Sequence, residues 1–287
     1  MRISDSMSRR KSKRVSRTLA ILFVAAVGTW AAPALCAPRP DPIDLIVGRQ
    51  MELNHIPGVA VALVEQGRIV KIAAYGTANL EWDAPVGLDT RFQLASATKM
   101  FTGMLLMRLV EQGKLGLDDP VTRWLPDAPA SWSAIRVRQL ADHTSGLAEQ
   151  RGATRDATLD SILATTMAAP LAYVPGSEAR YGFTDFAVLR VILEKAGGDT
   201  LPRLLHKQLF EPLDMRATAF ANASDDGTVR IGDLLPRRAQ IYGLRGDTLT
   251  TSDFFFAPQG YGAGGLYSSI EDLAKLFAGL DAGRVLK

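Results

Sequence analysis

The segment that follows Ser96 in the stretch FQLASATKMFTGMLL constrains the fold most, because it predicts a helix buried along its length. From Phe101 through Leu105 and Leu109, apolar residues recur at intervals of three and four until Gly113, a residue typical of helix ends. An apolar stripe of this kind has to be covered by other elements. The sequence therefore predicts a globular core around this helix, with Ser96 at its amino-terminal end.

The segments before this helix predict one helix and one hairpin. Asp41 as a cap and Pro42 at the first helical position begin a first helix. Two apolar runs on either side of EQGR then predict a β-hairpin over residues 59–75, with strands covered on both faces.

Four further helices are predicted after it. RVRQLADHTSGL predicts a short helix followed by a polar turn, and DFAVLRVILEKAGG predicts an amphipathic helix opened by Asp185 and closed by glycine. TLPRLLHKQLFEPLDM predicts a helix that stops at Pro212, and SSIEDLAKLFAGL predicts one capped by Ser268 or Ser269. Residues 221–262 are polar and irregular, so NASDDG and LRGDTLTTSD are predicted as loops.

The charge of the chain is concentrated at its amino-terminal end. Of 287 residues, 47% are hydrophobic and 22% charged, which is typical of a globular protein. Residues 1–37 hold seven of the 33 basic residues and one of the 30 acidic residues, so the remainder carries 26 basic and 29 acidic residues, a net charge of −3. No basic surface for nucleic acid is therefore predicted.

The same amino-terminal residues predict an export signal. A basic stretch ending at Arg17 is followed by the apolar run LAILFVAAVGTWAAPAL and then by small residues. We expect residues 1–37 to be removed and the protein to be periplasmic or secreted; the alternative is an uncleaved segment that anchors the protein to a membrane. Cys36, the single cysteine, lies beside the expected cleavage site, so no disulfide is predicted.

The spacing of Ser96 and Lys99 is compatible with a nucleophile and its base. Residues three apart on a helix share a face, and the amino-terminal end of a helix offers N–H groups to a developing oxyanion. The spacing alone is weak evidence, since Ser8 and Lys11 repeat it in the export segment. From the residues alone, Ser96 as a helix cap and Lys99 as a solvated side chain remain an equal alternative.

Five blocks in order resemble the serine β-lactamase-like family, which includes class C β-lactamases, D-alanyl-D-alanine carboxypeptidases and esterases. They are FQLASATKMFTG, LADHTSGL, YVPGSEARYGFTDFAVLRVILEKAGG, LFEPLDM and GAGGLYSSIEDLAKL, and the resemblance covers roughly residues 40–287. It implies an α+β fold, an α/β/α sandwich with an antiparallel sheet and an all-α subdomain. We expect one domain over residues 38–287, with the helical subdomain at approximately 98–220.

The resemblance also implies the roles of particular residues. Ser96 corresponds to the acylated nucleophile, Lys99 to its base partner, and Tyr181 to the tyrosine that shuttles the proton. Phe183 stands where the family has an asparagine that binds substrate, and a phenyl ring makes no such hydrogen bond. A small-molecule or peptide substrate is expected, with an amide, β-lactam or ester carbonyl, and neither a cofactor nor a metal.

In the family, the glycine-rich block is followed by strands, one of which carries a Lys/His-Thr/Ser-Gly motif beside the site. This sequence ends before such a motif, so we expect the carboxy-terminal sheet strands and one oxyanion donor to be missing. We then expect the hairpin of residues 59–75 to have an open edge and uncovered apolar faces. Two hypotheses follow: an exported serine hydrolase, or a catalytically impaired homologue with a binding role or none.

Other motifs favour no further activity. His143 is predicted as a structural loop residue rather than a catalytic one, because tyrosine and lysine fill the proton-transfer roles. His55 and His206 are isolated and predict no metal site. GYGAGG lacks the preceding strand and acidic partner of a dinucleotide site. Nothing in the sequence indicates the oligomeric state.

Overall fold

The computed structural model describes residues 41–150, 157–221, 234–252 and 256–287. The helices within them are α1 (Pro42–Leu53), α2 (Thr98–Glu111), α3 (Val137–Ala141), α4 (Leu159–Ala168), α5 (Thr184–Gly197), α6 (Leu201–Leu205) and α7 (Ile270–Asp281). The strands are β1 (Gly58–Glu65), β2 (Arg68–Asn79), β3 (Ala84–Pro85), β4 (Phe92–Gln93), β5 (Ala219–Phe220), β6 (Tyr242–Arg245), β7 (Thr248–Thr251) and β8 (Leu266–Ser268). The predicted export segment and NASDDG lie outside the described residues.

The first and last helices are capped by residues that the sequence identifies. The Asp41 carboxylate accepts a hydrogen bond from the Ile43 N–H at 2.8 Å, and Pro42 is the first residue of α1. The Ser269 hydroxyl accepts from the Asp272 N–H at 3.2 Å and begins α7. Both bonds satisfy N–H groups that a helix leaves unpaired at its start. The predicted caps are confirmed, and of the two serines proposed for α7 the second is the cap.

The start of α5 corrects one prediction. Asp185 does not open this helix, which begins one residue earlier, at Thr184. The Asp185 side chain is buried and accepts hydrogen bonds from the side chains of Ser145 and His143 instead of capping its own helix. Aspartate is a common helix cap, but here its carboxylate is hydrogen-bonded to residues from another segment. The predicted end is confirmed, since Gly198 follows the helix at φ +72°.

Two further segments differ from prediction. The α-helical part of TLPRLLHKQLFEPLDM ends at Leu205, and a π-helical turn, His206–Phe210, continues it toward Pro212. LRGDTLTTSD, predicted as a loop, forms most of the two-stranded antiparallel pair of β6 and β7. Threonine-rich strands are polar enough to resemble loops, although threonine favours extended backbone. Helix α4 was not predicted.

Strands β1 and β2 form the predicted hairpin. Its turn residues, Gln66 and Gly67, both have positive φ angles, +49° and +73°, as a tight turn between twisted strands requires. The apolar runs alone predicted strands covered on both faces, whereas the missing strands predicted uncovered apolar faces; Leu63, Ile69 and Val70 are exposed, in agreement with the second expectation. Within the described residues β1 pairs with β2 alone, so its other edge is open, as expected.

A small sheet of three strands, in the order β4-β8-β5, connects the two halves of the sequence. All its pairs are antiparallel: Gln93 lies opposite Tyr267, and Phe220 lies opposite Leu266. Strand β4 leads directly into the turn that holds Ser96. This sheet therefore fixes the start of α2 against the glycine-rich block far along the chain.

The core is centred on the helices α2, α5 and α6. Their fully buried side chains include Phe101, Leu105, Leu109, Leu189, Ile192, Leu193 and Leu201. Helix α7 packs on the hairpin of β1 and β2. Helices combined with antiparallel sheets are the α+β class predicted from the resemblance. Among the described residues, no helix has the length and apolar character needed to span a membrane.

Candidate active site

Ser96 lies at the surface in a 3₁₀ turn, Ala95–Ala97, between β4 and α2. The turn begins with Ala95 at φ +44°, a left-handed conformation that costs a non-glycine residue about 1–2 kcal/mol. The Leu94 N–H donates to the Leu266 carbonyl at 2.8 Å, which ties the turn to β8. The contact with β8 thus maintains a strained backbone that presents the Ser96 hydroxyl at the start of α2.

Lys99 lies one turn further on and connects three groups. Its Nζ lies 3.4 Å from the Ser96 Oγ, 3.0 Å from the Tyr181 phenol oxygen and 3.0 Å from the Ala263 carbonyl oxygen. The contact with Ser96 is long for a hydrogen bond, and such bonds commonly tighten when substrate binds. The amine therefore joins the predicted nucleophile to the predicted proton shuttle.

Tyr181 reaches the site from the segment before α5. Its side chain is 63% exposed, so its phenol is accessible to a ligand, and its ring lies 4.7 Å from the Lys99 Nζ. Burial acts to raise the pKa of the phenol, but hydrogen bonds from Lys99 and Ser96, together with the lysine charge, outweigh burial and lower the pKa. The phenol is therefore more readily ionised than a free tyrosine.

Two threonines hold the glycine-rich block against α2. The Thr102 hydroxyl donates to the Gly262 carbonyl at 2.8 Å, and the Thr98 hydroxyl accepts from the Leu266 N–H at 3.2 Å. These bonds place the carbonyl of Ala263 beside Lys99. Sequence reasoning missed Ala263, since a backbone acceptor leaves no mark in the sequence. Two buried threonines four apart within an apolar stripe were the available signal.

Phe183 presents a phenyl ring, and therefore no polar side-chain group, beside the site. Its ring is partly buried against the core, and a Cβ added to Gly260 would lie 3.6 Å from it. The Glu149 carboxylate accepts hydrogen bonds from the Phe183 N–H at 2.8 Å and the Thr184 N–H at 3.1 Å. Glu149 is therefore the cap of α5, supplied from a distant segment. No pattern in the sequence indicated this role for Glu149.

The structure thus brings Ser96, Lys99 and Tyr181 together and places Phe183 nearby on the same segment as Tyr181. His143 lies in a loop with its ring against Tyr181, at 4.8 Å between ring centroids. No cluster of His, Cys, Asp and Glu side chains able to hold a metal ion occurs in the part of the chain that the structure describes.

Comparison with known proteins identifies the family. The family model named Beta-lactamase matches residues 43–287. The chain belongs to this family. The resemblance that the five sequence blocks indicated is confirmed. The family comprises serine hydrolases that act on small-molecule substrates, and esterases and amidases occur among the proteins similar to this chain.

Three similar proteins illustrate the relationship. Esterase EstB of Burkholderia gladioli is 32% identical over 205 residues, which cover 64% of this chain and 52% of the esterase. The crystal structure of FmtA from Staphylococcus aureus matches with a TM-score of 0.73 at 24% identity, covering 86% of this chain and 68% of FmtA. D-amino acid amidase from Ochrobactrum anthropi matches with a TM-score of 0.69 at 26% identity, covering 83% of this chain and 70% of the amidase.

These matches confirm the β-lactamase-like fold. This chain spans about half the length of EstB, since the match covers 52% of that esterase.

Proposed function

We propose that this protein is a serine hydrolase in which Ser96 attacks a substrate carbonyl and forms an acyl-enzyme. The observation that carries the proposal is the position of the Lys99 amine, 3.4 Å from the Ser96 hydroxyl and 3.0 Å from the Tyr181 phenol. A hydroxyl nucleophile needs a neighbouring group that accepts its proton, and two candidates lie within contact distance of one another.

The proposed reaction begins when Ser96 Oγ attacks the carbonyl carbon and its proton passes to the Tyr181 phenolate by way of the Lys99 amine, which receives the proton of Ser96 as it gives one of its own to the phenolate. The Lys99 ammonium stabilises that phenolate, in agreement with the lowered pKa of Tyr181. The Ser96 backbone N–H, at the positive end of α2, stabilises the oxyanion. When the bond to the leaving group breaks, Tyr181 returns the proton to that group. Water then attacks the acyl-enzyme by the same route and releases Ser96.

The proposed substrates are small esters rather than β-lactams. EstB, the esterase of Burkholderia gladioli, is 32% identical over the matched residues. Phe183 supplies a phenyl ring where the resemblance expects an amide, so the side-chain carbonyl of a β-lactam or peptide loses a hydrogen-bond donor. A hydrogen bond lost at a buried site costs a substrate about 1–3 kcal/mol, whereas a simple ester lacks that second carbonyl.

The amino-terminal sequence supports a separate proposal, that the protein acts outside the cytoplasm, in the periplasm or the medium. The support is the basic stretch followed by an apolar run in residues 1–37. Expression of the full chain in a bacterium, followed by mass analysis of the exported fraction, is expected to give a protein that starts near Pro38. Recovery of the protein only in the cytoplasm, with residues 1–37 intact, would contradict export.

The hydrolase proposal is tested by covalent labelling with intact-mass detection. A fluorophosphonate probe is expected to add one adduct to the wild-type protein and none to Ser96→Ala. The matched control is Ser133→Ala, which removes another exposed serine and should label like the wild type. Hydrolysis of p-nitrophenyl butyrate is expected to exceed hydrolysis of a chromogenic cephalosporin, and the reverse order would overturn the ester assignment.

The same experiment examines the alternative, a homologue that retains the fold without turnover. If the wild-type protein is folded by circular dichroism but takes up no probe, the serine hydrolase proposal is wrong. Labelling without hydrolysis of any ester would place the defect in deacylation, and the acyl-enzyme would be its end product.

A further inference from the structure

His143 lies directly behind Tyr181, on the loop that follows α3. The two ring centroids are 4.8 Å apart with the planes tilted by 57°, and the ring of Phe186 lies 5.2 Å from that of His143. The Lys99 amine lies 4.7 Å from the Tyr181 ring. The tyrosine ring is therefore in contact with the imidazole and with the lysine whose amine it binds, although most of its surface is exposed.

The main chain of His143 fixes the segment that carries Tyr181. Its carbonyl oxygen accepts hydrogen bonds from the Arg180 N–H at 2.9 Å and from the Tyr173 hydroxyl at 3.1 Å. The residue has φ +62°, a left-handed conformation that is uncommon for residues other than glycine but that histidine, asparagine and aspartate adopt more often than the rest. One residue thus holds both the backbone before Tyr181 and its ring.

Asp185 fixes the imidazole in turn. One carboxylate oxygen lies 3.1 Å from the His143 Nδ1, and the other accepts a hydrogen bond from the buried Ser145 hydroxyl. The Ser145 hydroxyl accepts from the Leu147 N–H at 3.0 Å. Because Asp185 is buried in the first turn of α5, the ring of His143 is tied to the helix that begins just after Tyr181.

We propose that His143, oriented by Asp185, is a positioning residue that holds the Tyr181 phenol against Lys99. The inference rests on the proposed function, in which the phenol transfers the proton of Ser96. His143 makes no proton transfer of its own, and its effect on the rate passes entirely through Tyr181. Tyr181 is 63% exposed, and misplacing a catalytic group by about 1 Å can lower a rate by about 100-fold.

The test uses His143→Asn. Asparagine accepts the left-handed backbone and its side-chain amide can replace the donor to Asp185, so the substitution chiefly removes the ring behind Tyr181. The control is His55→Asn, which makes the same change at an exposed residue that also has a positive φ, +50°. The rate of fluorophosphonate labelling reports acylation, and the final extent of labelling reports the fraction of competent protein.

The expected result is a fall of about ten-fold in the labelling rate of His143→Asn, with full final labelling and an unchanged rate for His55→Asn. The decisive measurement is a double-mutant cycle with Tyr181→Phe. If His143 acts through the phenol, adding His143→Asn to Tyr181→Phe changes the remaining rate less than about two-fold.

Equal effects of His143→Asn with and without the phenol would overturn the inference, because a general disturbance of the loop acts in both backgrounds. Should His143→Asn fail to fold, the same cycle is run with His143→Gln, with the same two outcomes. Failure of the proposed function gives a different result, since either the folded wild-type protein takes up no probe or labelling persists in Ser96→Ala. If labelling depends on Ser96 but the effects of His143→Asn and Tyr181→Phe are additive, the positioning role of His143 is wrong and the hydrolase proposal still stands.

Discussion

At the scale of single residues, the role of Lys99 depends on whether its amine can exchange a proton. Lys99→Arg keeps the positive charge near Ser96 and Tyr181, but a guanidinium stays protonated at any usable pH. Loss of a positioned proton-transfer group typically lowers a rate by about 100-fold or more. We expect Lys99→Arg to label with a fluorophosphonate at least about 100-fold more slowly than the wild type. Lys114→Arg, at an exposed position, is the matched control.

A labelling rate for Lys99→Arg within a few-fold of the wild type would show that only the charge at this position matters. The lysine would then stabilise the phenolate without exchanging protons.

The lowered pKa of Tyr181 makes a spectroscopic prediction. The hydrogen bonds from Lys99 and Ser96 favour the phenolate, so ionisation should be half complete below pH 10, the usual value for tyrosine. The difference in absorbance at 295 nm between the wild type and Tyr181→Phe isolates this phenol as pH rises. The acylation rate should increase with pH along the same curve.

The substitution Lys99→Met provides the control for that titration. Removing the hydrogen bond and the charge of Lys99 leaves burial, which raises the pKa and is then opposed only by the hydrogen bond from Ser96, so the midpoint should move to higher pH. A difference spectrum with its midpoint at or above pH 10 in the wild-type protein would rule out a phenolate base at neutral pH.

Side chains at the site were easier to predict than its backbone groups. The three-residue spacing of Ser96 and Lys99 at a helix start was compatible with a site but left an equal alternative, and the resemblance indicated both residues and Tyr181. The carbonyl of Ala263, which accepts from Lys99, follows from neither. It comes from residues more than 160 positions away, and any residue type offers the same carbonyl group. Such contacts depend on tertiary packing and cannot be read from local patterns.

At the scale of secondary-structure elements, the start of α5 depends on a carboxylate from another segment. Glu149 accepts from the N–H groups of Phe183 and Thr184 just after Tyr181. Removing a side-chain cap costs about 1 kcal/mol, and a negative charge at a helix start adds some tenths more. We expect Glu149→Ala to lower the free energy of unfolding in urea by about 1–2 kcal/mol.

The control for this prediction is Glu81→Ala, which removes an exposed glutamate from a turn and should change the free energy of unfolding by less than about 0.5 kcal/mol. Because the cap lies beside Tyr181, Glu149→Ala should also slow fluorophosphonate labelling. Equal stability of the two variants would mean that water replaces the carboxylate at no cost.

Helix ends were predictable where the cap is local and unpredictable where it is distant. Asp41 and Ser269 lie next to the N–H groups that they bind, so the sequence predicts both caps correctly. Asp185 looked like a cap by the same rule, but its carboxylate is bound by Ser145 and His143. The real cap, Glu149, is 34 residues before Phe183 in the chain. Sequence separation, rather than residue type, limited the prediction.

At the scale of the whole molecule, the site lies where the helical core meets the small sheet of β4, β8 and β5. Lys99 lies on α2, whose inner face is buried, and Ser96 lies in the turn just before α2, which is tied to β8. Tyr181 comes from the segment before α5, which packs against α2. The side chains of the proposed site are therefore attached to helices that form the buried core, although Tyr181 itself is exposed.

The hairpin of β1 and β2 is less buried than the helical core, and we therefore expect it to open more readily. All residues of both strands are described and none is buried, whereas α2 has seven buried residues and α5 has nine. Local opening requires less free energy where little apolar surface is buried. In native-state hydrogen exchange, amides of β1 and β2 should therefore exchange at least roughly ten-fold faster than those in the middle of α2 and α5.

Substitutions in the helical core should lower the free energy of unfolding more than substitutions in the hairpin. Leu189→Ala removes a fully buried side chain of α5 and should cost about 2–5 kcal/mol of unfolding free energy, because it leaves a cavity. Val70→Ala removes two carbon atoms, one fewer than Leu189→Ala, from β2, where the valine is 51% exposed, and should cost less than about 0.5 kcal/mol. Equal losses for the two variants, or equal exchange of hairpin and helix amides, would mean that the hairpin is covered as fully as the core. In that case its apolar side chains, Leu63 and Ile69 among them, would have partners in solution.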